Sequence, residues 1–373
     1  MSKQLFMRST MASVLMMSVV VNFAYSEHKI VPKSEITRAY LGDSTKVEYK
    51  NSARYLDNLV FRQFITMSIS GSSQYTEKQF SYILENIVEN NNLQDDVVLV
   101  VDLRGEAHLF VQNQLKDAKG NKMAISSEPL IISDKAGREI ESIEEPLLIK
   151  EMQGLTINVL PHRYAADHAP ILSGEVEARE PFTITICKEG IGNLETEEQM
   201  IRRVAQNIQI ASKTDLYKTK VGKTNVEYAR IPVPDLSVPT IKHVDDFIAA
   251  IKRVETANPG KKVWVHIHCH GGLGRSAFFL YVASMMRSNK SLQEIANEHT
   301  KAGGRDLLNV EVPEIGQSLK TAQEIKKTIE IVYERFQSER AREIDRTATS
   351  SIEKNKELEG ALKTKKSELY SAI

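Results

Sequence analysis

The stretch Val263-Trp-Val-His-Ile-His-Cys-His-Gly-Gly-Leu-Gly-Arg-Ser276 decides how this chain is read. Val263 to His268 is a short β-branched and aromatic run, which predicts a strand. Ser276 to Arg287 is strongly apolar and predicts a buried helix. Between them lies a turn in which Gly271, Gly272 and Gly274 let the backbone curl without Cβ clashes. A strand, a tight loop and a helix N-terminus in that order aim backbone N–H groups at an anion. The cradle expected here is the backbone of His270, Gly271, Gly272, Leu273 and Gly274.

Cys269 and Arg275 stand at the two ends of that loop. The planar fork of Arg275 can grip two phosphate oxygens, which a lysine could not copy. The positive field at a helix N-terminus favours a thiolate, and a thiolate under a phosphate cradle is a phosphorus nucleophile. The expected product is a covalent phosphocysteine. Ser276 is expected to hydrogen-bond the thiolate and help it leave. His268 is expected to order the loop through hydrogen bonds.

Such a nucleophile needs a proton donor for its leaving group. The candidate is Asp235, in Arg230-Ile-Pro-Val-Pro-Asp-Leu-Ser-Val-Pro-Thr240. Pro232, Pro234 and Pro239 stiffen this segment. Asp235 would act first as general acid and then as general base for water. Its bland alternative is a cap for a helix starting near Lys242.

Outward from this unit the pattern is α/β. Val97 to Val101 is a continuous apolar run ending at Asp102, as suits a strand buried on both faces of a mainly parallel sheet. Phe80, Ile83, Leu84 and Ile87 fall on one helical face. So do Val244, Phe247, Ile248, Ile251 and Val254, and so do Ile325, Ile329, Val332 and Phe336. Helical periodicity also spans about 196 to 210. Within 110–190 short apolar runs alternate with turns, which predicts a small β-rich insertion. The expected division is a core of 27–109 and 191–336, that insertion, and a charged helical tail of 337–373. Residues 27–60 read as an irregular lead-in.

Composition narrows the classes. The 373 residues are 41% hydrophobic and 26% charged, which is globular rather than disordered. Forty-nine basic residues balance 49 acidic ones, so coating nucleic acid by charge alone is excluded. Residues 1–26 have a secretory leader layout: Lys3 and Arg8, an uncharged run, then Ala24-Tyr-Ser26 before Glu27. The apolar run is short for a bilayer anchor, so export, to a periplasm or outside the cell, is expected, with no membrane span left after cleavage. Cys187 is the only cysteine besides Cys269. It reads as a buried free thiol in a strand-like run, or as a redox partner of Cys269.

The run His268-Cys-His-Gly-Gly-Leu-Gly-Arg-Ser276 resembles the cysteine-dependent protein tyrosine phosphatase signature. Pro234-Asp-Leu-Ser-Val-Pro239 resembles that superfamily's mobile acid loop. A closer resemblance is to the bacterial tyrosine-phosphatase-like inositol phosphatases, the phytase-like branch. It is carried by Gly71-Ser-Ser-Gln-Tyr-Thr-Glu-Lys-Gln79, by Asp102-Leu-Arg-Gly-Glu-Ala-His108, and by Val238-Pro-Thr240 with Val244-Asp-Asp-Phe247. It extends from about residue 55 to about residue 305. The chain departs from the family in having His270 after the cysteine, where Glu is frequent, and Val238 at the place of an acid-loop tryptophan. The resemblance implies an α/β phosphatase core with a small β-rich insert, and an inositol polyphosphate as substrate. It also implies Arg104 and, through Phe61-Arg62, Arg62 as substrate-phosphate contacts. Arg104 reads equally as an ion-pair partner of Asp102 or Glu106.

Other classes stay in view. Alternating His266, His268 and His270 could ligate a metal in a metal-dependent hydrolase. The glycine pair should turn the chain before His270 aligns, and that reading leaves the Cys-to-Arg spacing unexplained. A binding module that keeps the fold without turnover is the second rival. No metal or organic cofactor is implied by the favoured reading. Its partner is an anionic small molecule, or alternatively a phosphotyrosine-bearing protein.

Overall fold

A computed structural model describes residues 38–41, 47–49, 59, 61–91, 93, 95–116, 122–133, 145–160, 176–178, 182–190, 192–213, 225–311 and 318–371. All of them belong to one unit, Val31–Ile373. The expected leader, 1–26, lies outside the described residues.

The strands are β1 (Arg38–Leu41), β2 (Val47–Tyr49), β3 (Phe61–Phe64), β4 (Ile69–Ser72), β5 (Val97–Arg104), β6 (His108–Lys116), β7 (Lys122–Ser133), β8 (Thr156–Leu160), β9 (Val176–Ala178), β10 (Phe182–Thr185), β11 (Leu194–Glu195), β12 (Asn225–Val233) and β13 (Val263–His268). The helices are α1 (Glu77–Asn91), α2 (Glu145–Met152), α3 (Glu197–Lys213), α4 (Ile241–Ala257), α5 (Arg275–Arg287), α6 (Leu292–Lys301) and α7 (Leu319–Ser371).

Five strands form the central sheet in the order β12-β5-β13-β4-β3. The first four run parallel, and β3 is antiparallel to β4. The β5 and β13 strands are buried along their whole length, as their unbroken apolar runs require of strands covered on both faces. Pro232 sits in β12 at the sheet's edge, where a missing donor is tolerated and the register slips between Arg230 and Val233. One face carries α5, whose residues from Arg275 to Met285 are all buried, with Val244, Phe247, Ile251, Ile325, Ile329 and Val332 from α4 and α7. On the other, Phe80, Ile83, Leu84 and Ile87 of α1 cluster with Met200, Ile201 and Val204 of α3 around Trp264.

The second sheet, β10-β8-β1-β7-β6-β11, is mainly antiparallel and encloses its own apolar cluster of Leu109, Val111, Leu130, Ile157 and Ile184. It differs from the sequence expectation at three points. It begins at His108, it ends at Glu195, and β1 from the supposed lead-in fills its middle, pairing Tyr40 with Ile131 and Leu160. Four residues show too little periodicity to be read as a strand. Backbone donors and acceptors offered by β7 and β8 make them one. A second pair, β2 with β9, also draws on that lead-in. The charged tail is not a separate element: α7 runs unbroken from Leu319 to Ser371.

Candidate active site

The parallel strands end together. Asp102 of β5 and Ser72 of β4 flank His268 of β13 in register, so their carboxyl ends open on one crevice, where open α/β sheets bind ligands. Cys269 is the first residue beyond that edge. The backbone N–H of Gly272 donates to Cys269 Sγ at 3.3 Å, so the loop curls around the sulfur. Of the three glycines, Gly272 has a left-handed φ of 73°, and a Cβ there would stand 2.6 Å from Ser73 N. Leu273 points outward, and α5 starts at Arg275.

Arg275 is buried and fully engaged. Its Nη1 donates to Glu106 Oε2 at 2.8 Å and to Val233 O at 3.0 Å, and its Nη2 lies 2.9 Å from Asp235 Oδ1. Burial works against its charge, but Glu106, Cys269 and Asp235 outweigh that and hold the guanidinium firmly protonated. Glu106 is also bonded to Arg104 Nε at 2.8 Å. Burial would raise its carboxyl, yet Arg104, Arg275 and His270 keep it well below the usual carboxylate range.

Asp235 is half-exposed and shares with Cys269 a shallow cleft lined also by Leu236, Gly271, Gly274, Arg275 and Ile325. It does not cap the following helix. That role belongs to Thr240, whose side chain accepts from His243 N in a reciprocal capping box. Leu236 after it holds a left-handed φ of 53°, a strained conformation for a branched side chain.

Several expected roles are corrected. The Ser276 hydroxyl donates to Ser72 O at 3.4 Å rather than to the thiol. Arg104 is fully buried, donating from Nε to Glu106 and from Nη1 to Gln74 Oε1 at 2.6 Å. Its ion pair with Glu106 is present, and that pair is compatible with the substrate-contact reading. Arg62 is buried too and donates from Nη1 to Gly272 O at 2.9 Å, bracing the loop from below. Arg62 thus braces the loop directly, whereas Arg104 reaches it only through Glu106 and Gln74. His270 is buried, and its carbonyl accepts from Gln74 N at 2.8 Å.

The three histidines do not form a metal triad. His266 contacts Ser70 Oγ at 3.0 Å and Ser72 Oγ at 3.2 Å, and burial pushes its pKa down to about 3. His268 turns its Nε2 to Glu197 Oε1 at 3.1 Å. The described residues that do bring ligand-type atoms within 4.8 Å of one another are Asp102, Glu197 and His268. Those carboxylates already serve protein partners: His108 Nε2 is 2.9 Å from Glu197 Oε2, and Tyr228 donates to Asp102 at 3.1 Å. They are an internal ion-pair network. Glu197 and Gln74 had no role in the sequence reading, and Glu106 entered it only as a partner of Arg104, not of Arg275. Glu106 lies inside a recognised motif, whereas nothing local marks Glu197. Cys187 is exposed, not buried, and both cysteines are free.

A thiol at the mouth of a strand-to-helix anion loop, with an arginine closing that loop and an aspartate held opposite, is the architecture of the cysteine-dependent phosphatases. Within that class, the sequence model of the phosphatase-like phytases, described by inositol hexakisphosphate, matches residues 101–287, half of the chain. The chain belongs to the protein-tyrosine-phosphatase-like phytase family. Solved structures similar to it include a myo-inositol phosphatase from Mitsuokella multacida in complex with myo-inositol-(1,3,4,5)-tetrakisphosphate, at 17% identity and a TM-score of 0.49. That match covers 79% of this chain and 45% of the other. A phytase from Bdellovibrio bacteriovorus matches at 17% identity and a TM-score of 0.48, over 83% of this chain and 94% of that one. This chain thus spans less than half of the Mitsuokella protein. A search among curated proteins found no match.

Proposed function

We propose that the chain hydrolyses phosphomonoesters of inositol polyphosphates through a phosphocysteine intermediate. The supporting observation is the convergence of Cys269, Arg275 and Asp235 on one cleft, inside a segment that belongs to the phytase family. Cys269 Sγ attacks phosphorus, and the bond from phosphorus to the ester oxygen breaks. Asp235 gives that oxygen its proton. Water, deprotonated by Asp235, then attacks the phosphocysteine and releases inorganic phosphate and the thiolate. Arg275 and the loop amides hold the equatorial oxygens throughout. The chemistry uses this chain's own side chains.

The test is phosphate release from inositol hexakisphosphate and from a phosphotyrosine peptide side by side, with chelator present and Cys269→Ser as blank. Faster release from the inositol supports the proposal. Preference for the peptide would move the substrate class to proteins, and turnover by the blank would overturn the nucleophile.

We further propose that residues 1–26 are a leader removed on export. N-terminal sequencing of protein recovered outside the cytoplasm should begin at Glu27. Among the described residues, no helix is long and apolar enough to cross a membrane.

A further inference from the structure

Glu197 is the first residue of α3, one residue beyond β11 and enclosed by the Thr196–Gln199 capping pair. It is fully buried and stands outside the catalytic cleft. Its two carboxylate oxygens divide between two imidazoles: Oε2 lies 2.9 Å from His108 Nε2, and Oε1 lies 3.1 Å from His268 Nε2. Asp102 lies beside the same rings, at 3.4 Å from His108 and 4.0 Å from His268. His108 opens β6 in the second sheet, whereas His268 closes β13 and is followed at once by Cys269. One carboxylate therefore joins the start of the second sheet to the strand end that carries the nucleophile.

A buried carboxylate loses several kcal/mol of hydration, so it is a poor means of gaining stability alone. Burial would raise the Glu197 carboxyl, but His268 and His108 together hold it well below the usual range, so it stands as an anion between the rings. The first turn of α3 adds its helix-dipole field to the same end. The Tyr75 ring, 4.8 Å from the His268 ring, packs against that imidazole. His268 is thereby enclosed between the Glu197 carboxylate and the Tyr75 ring.

We infer that Glu197 is a positioning residue for catalysis, fixing His268, and through it the backbone at Cys269, against the second sheet. The inference rests on Cys269 being the nucleophile. It goes beyond that reading because the signature loop contains no residue that holds its own histidine.

The test uses the full chain with Glu197→Gln and Glu197→Asp. Steady-state kinetics are taken on p-nitrophenyl phosphate and inositol hexakisphosphate, beside thermal melts and the rate of Cys269 alkylation by iodoacetate at fixed pH. The expected result for Glu197→Gln is kcat lower by about tenfold to a hundredfold, as for a displaced reacting group, with KM within about twofold and slower alkylation. Glu197→Asp keeps the charge one methylene short of both rings and should fall between, which makes it decisive if Glu197→Gln does not fold. A folded variant with wild-type kcat and alkylation rate would overturn the inference, as would a rise in KM alone. If the wild-type chain releases no phosphate from either substrate, the proposed function fails, and the alkylation rates still decide the role of Glu197.

Discussion

Arg275 Nη2 and Asp235 Oδ1 are 2.9 Å apart, so the phosphate clamp and the proton donor hold each other across the mouth of the cleft. An arriving phosphate must take the place of that carboxylate on the guanidinium. Under the proposed function, the arginine that would bind substrate also holds the loop of the acid candidate.

Replacing Asp235 with Asn should lower kcat about 10²- to 10⁴-fold on alkyl phosphates such as inositol phosphates, the usual worth of a general acid. The loss should be much smaller on an aryl phosphate whose leaving group needs no proton. Rates for both substrates with the one variant check this. Equal losses would remove the acid role and leave Asp235 as a mere partner of Arg275.

Glu106 is shared by Arg104 and Arg275, and all three are buried. Glu106→Gln would remove the buried carboxylate that Arg104 and Arg275 share, leaving Arg275 with the half-exposed Asp235. Loss of one partner from a buried ion pair costs about 3–5 kcal/mol. We expect a lower denaturation midpoint and a raised KM, because the Arg275 fork is no longer aimed. Urea titration and substrate saturation curves measure the two effects, and an unchanged KM would show that the loop amides alone orient Arg275.

Gly272→Ala places a methyl group 2.6 Å from Ser73 N in a left-handed backbone. Backbone strain of this kind costs on the order of 1–3 kcal/mol. The loop should open, losing the bond from Gly272 N–H to Cys269 Sγ. Gly271→Ala, with open space at its Cβ, should be far milder and serves as the control. Comparable stability and activity for the two variants would contradict this geometry.

His299 stacks on Phe64 at 4.3 Å and meets Ser284 Oγ at 3.0 Å, and burial, assisted by Arg62, pushes its pKa down to about 3. His266 is depressed to the same degree. A histidine lowered from 6.5 contributes stability above pH 6.5 and loses it as pH falls toward 3. Each therefore adds a slope of about 1.4 kcal/mol per pH unit in that window. His108 is displaced the other way: burial and Arg104 oppose its charge, but Asp102, Glu145 and Glu197 prevail. Its contribution is complete below pH 6.5 and is lost as pH rises through its raised value. Unfolding free energies of wild type and His299→Gln between pH 4.5 and 7 should differ by one proton's slope. Parallel curves would show that His299 is not held neutral.

The loop from Cys269 to Arg275 was legible because it is local. Its strand, its glycines and its helix follow one another in the chain, and backbone geometry fixes their arrangement. Asp235 was legible through the prolines around it, although only Thr240 in its capping position shows that Asp235 is free for chemistry. Arg62 and Arg104 were picked as substrate-phosphate contacts, but a sequence does not say which protein groups a guanidinium also reaches. The structure puts them on Gly272 O and Glu106.

The sequence by itself determined the parallel α/β core and the glycine loop that follows Cys269, since hydrophobic periodicity and short-range turn chemistry are written along the chain. Only the tertiary structure decided that β1 lies in the middle of the second sheet and that Glu106 couples two arginines. It alone also decided that Glu197 reaches His268 from 71 residues away in sequence. Those contacts depend on where strands end relative to one another in space. That is set by packing of the whole sheet, and no local pattern encodes it.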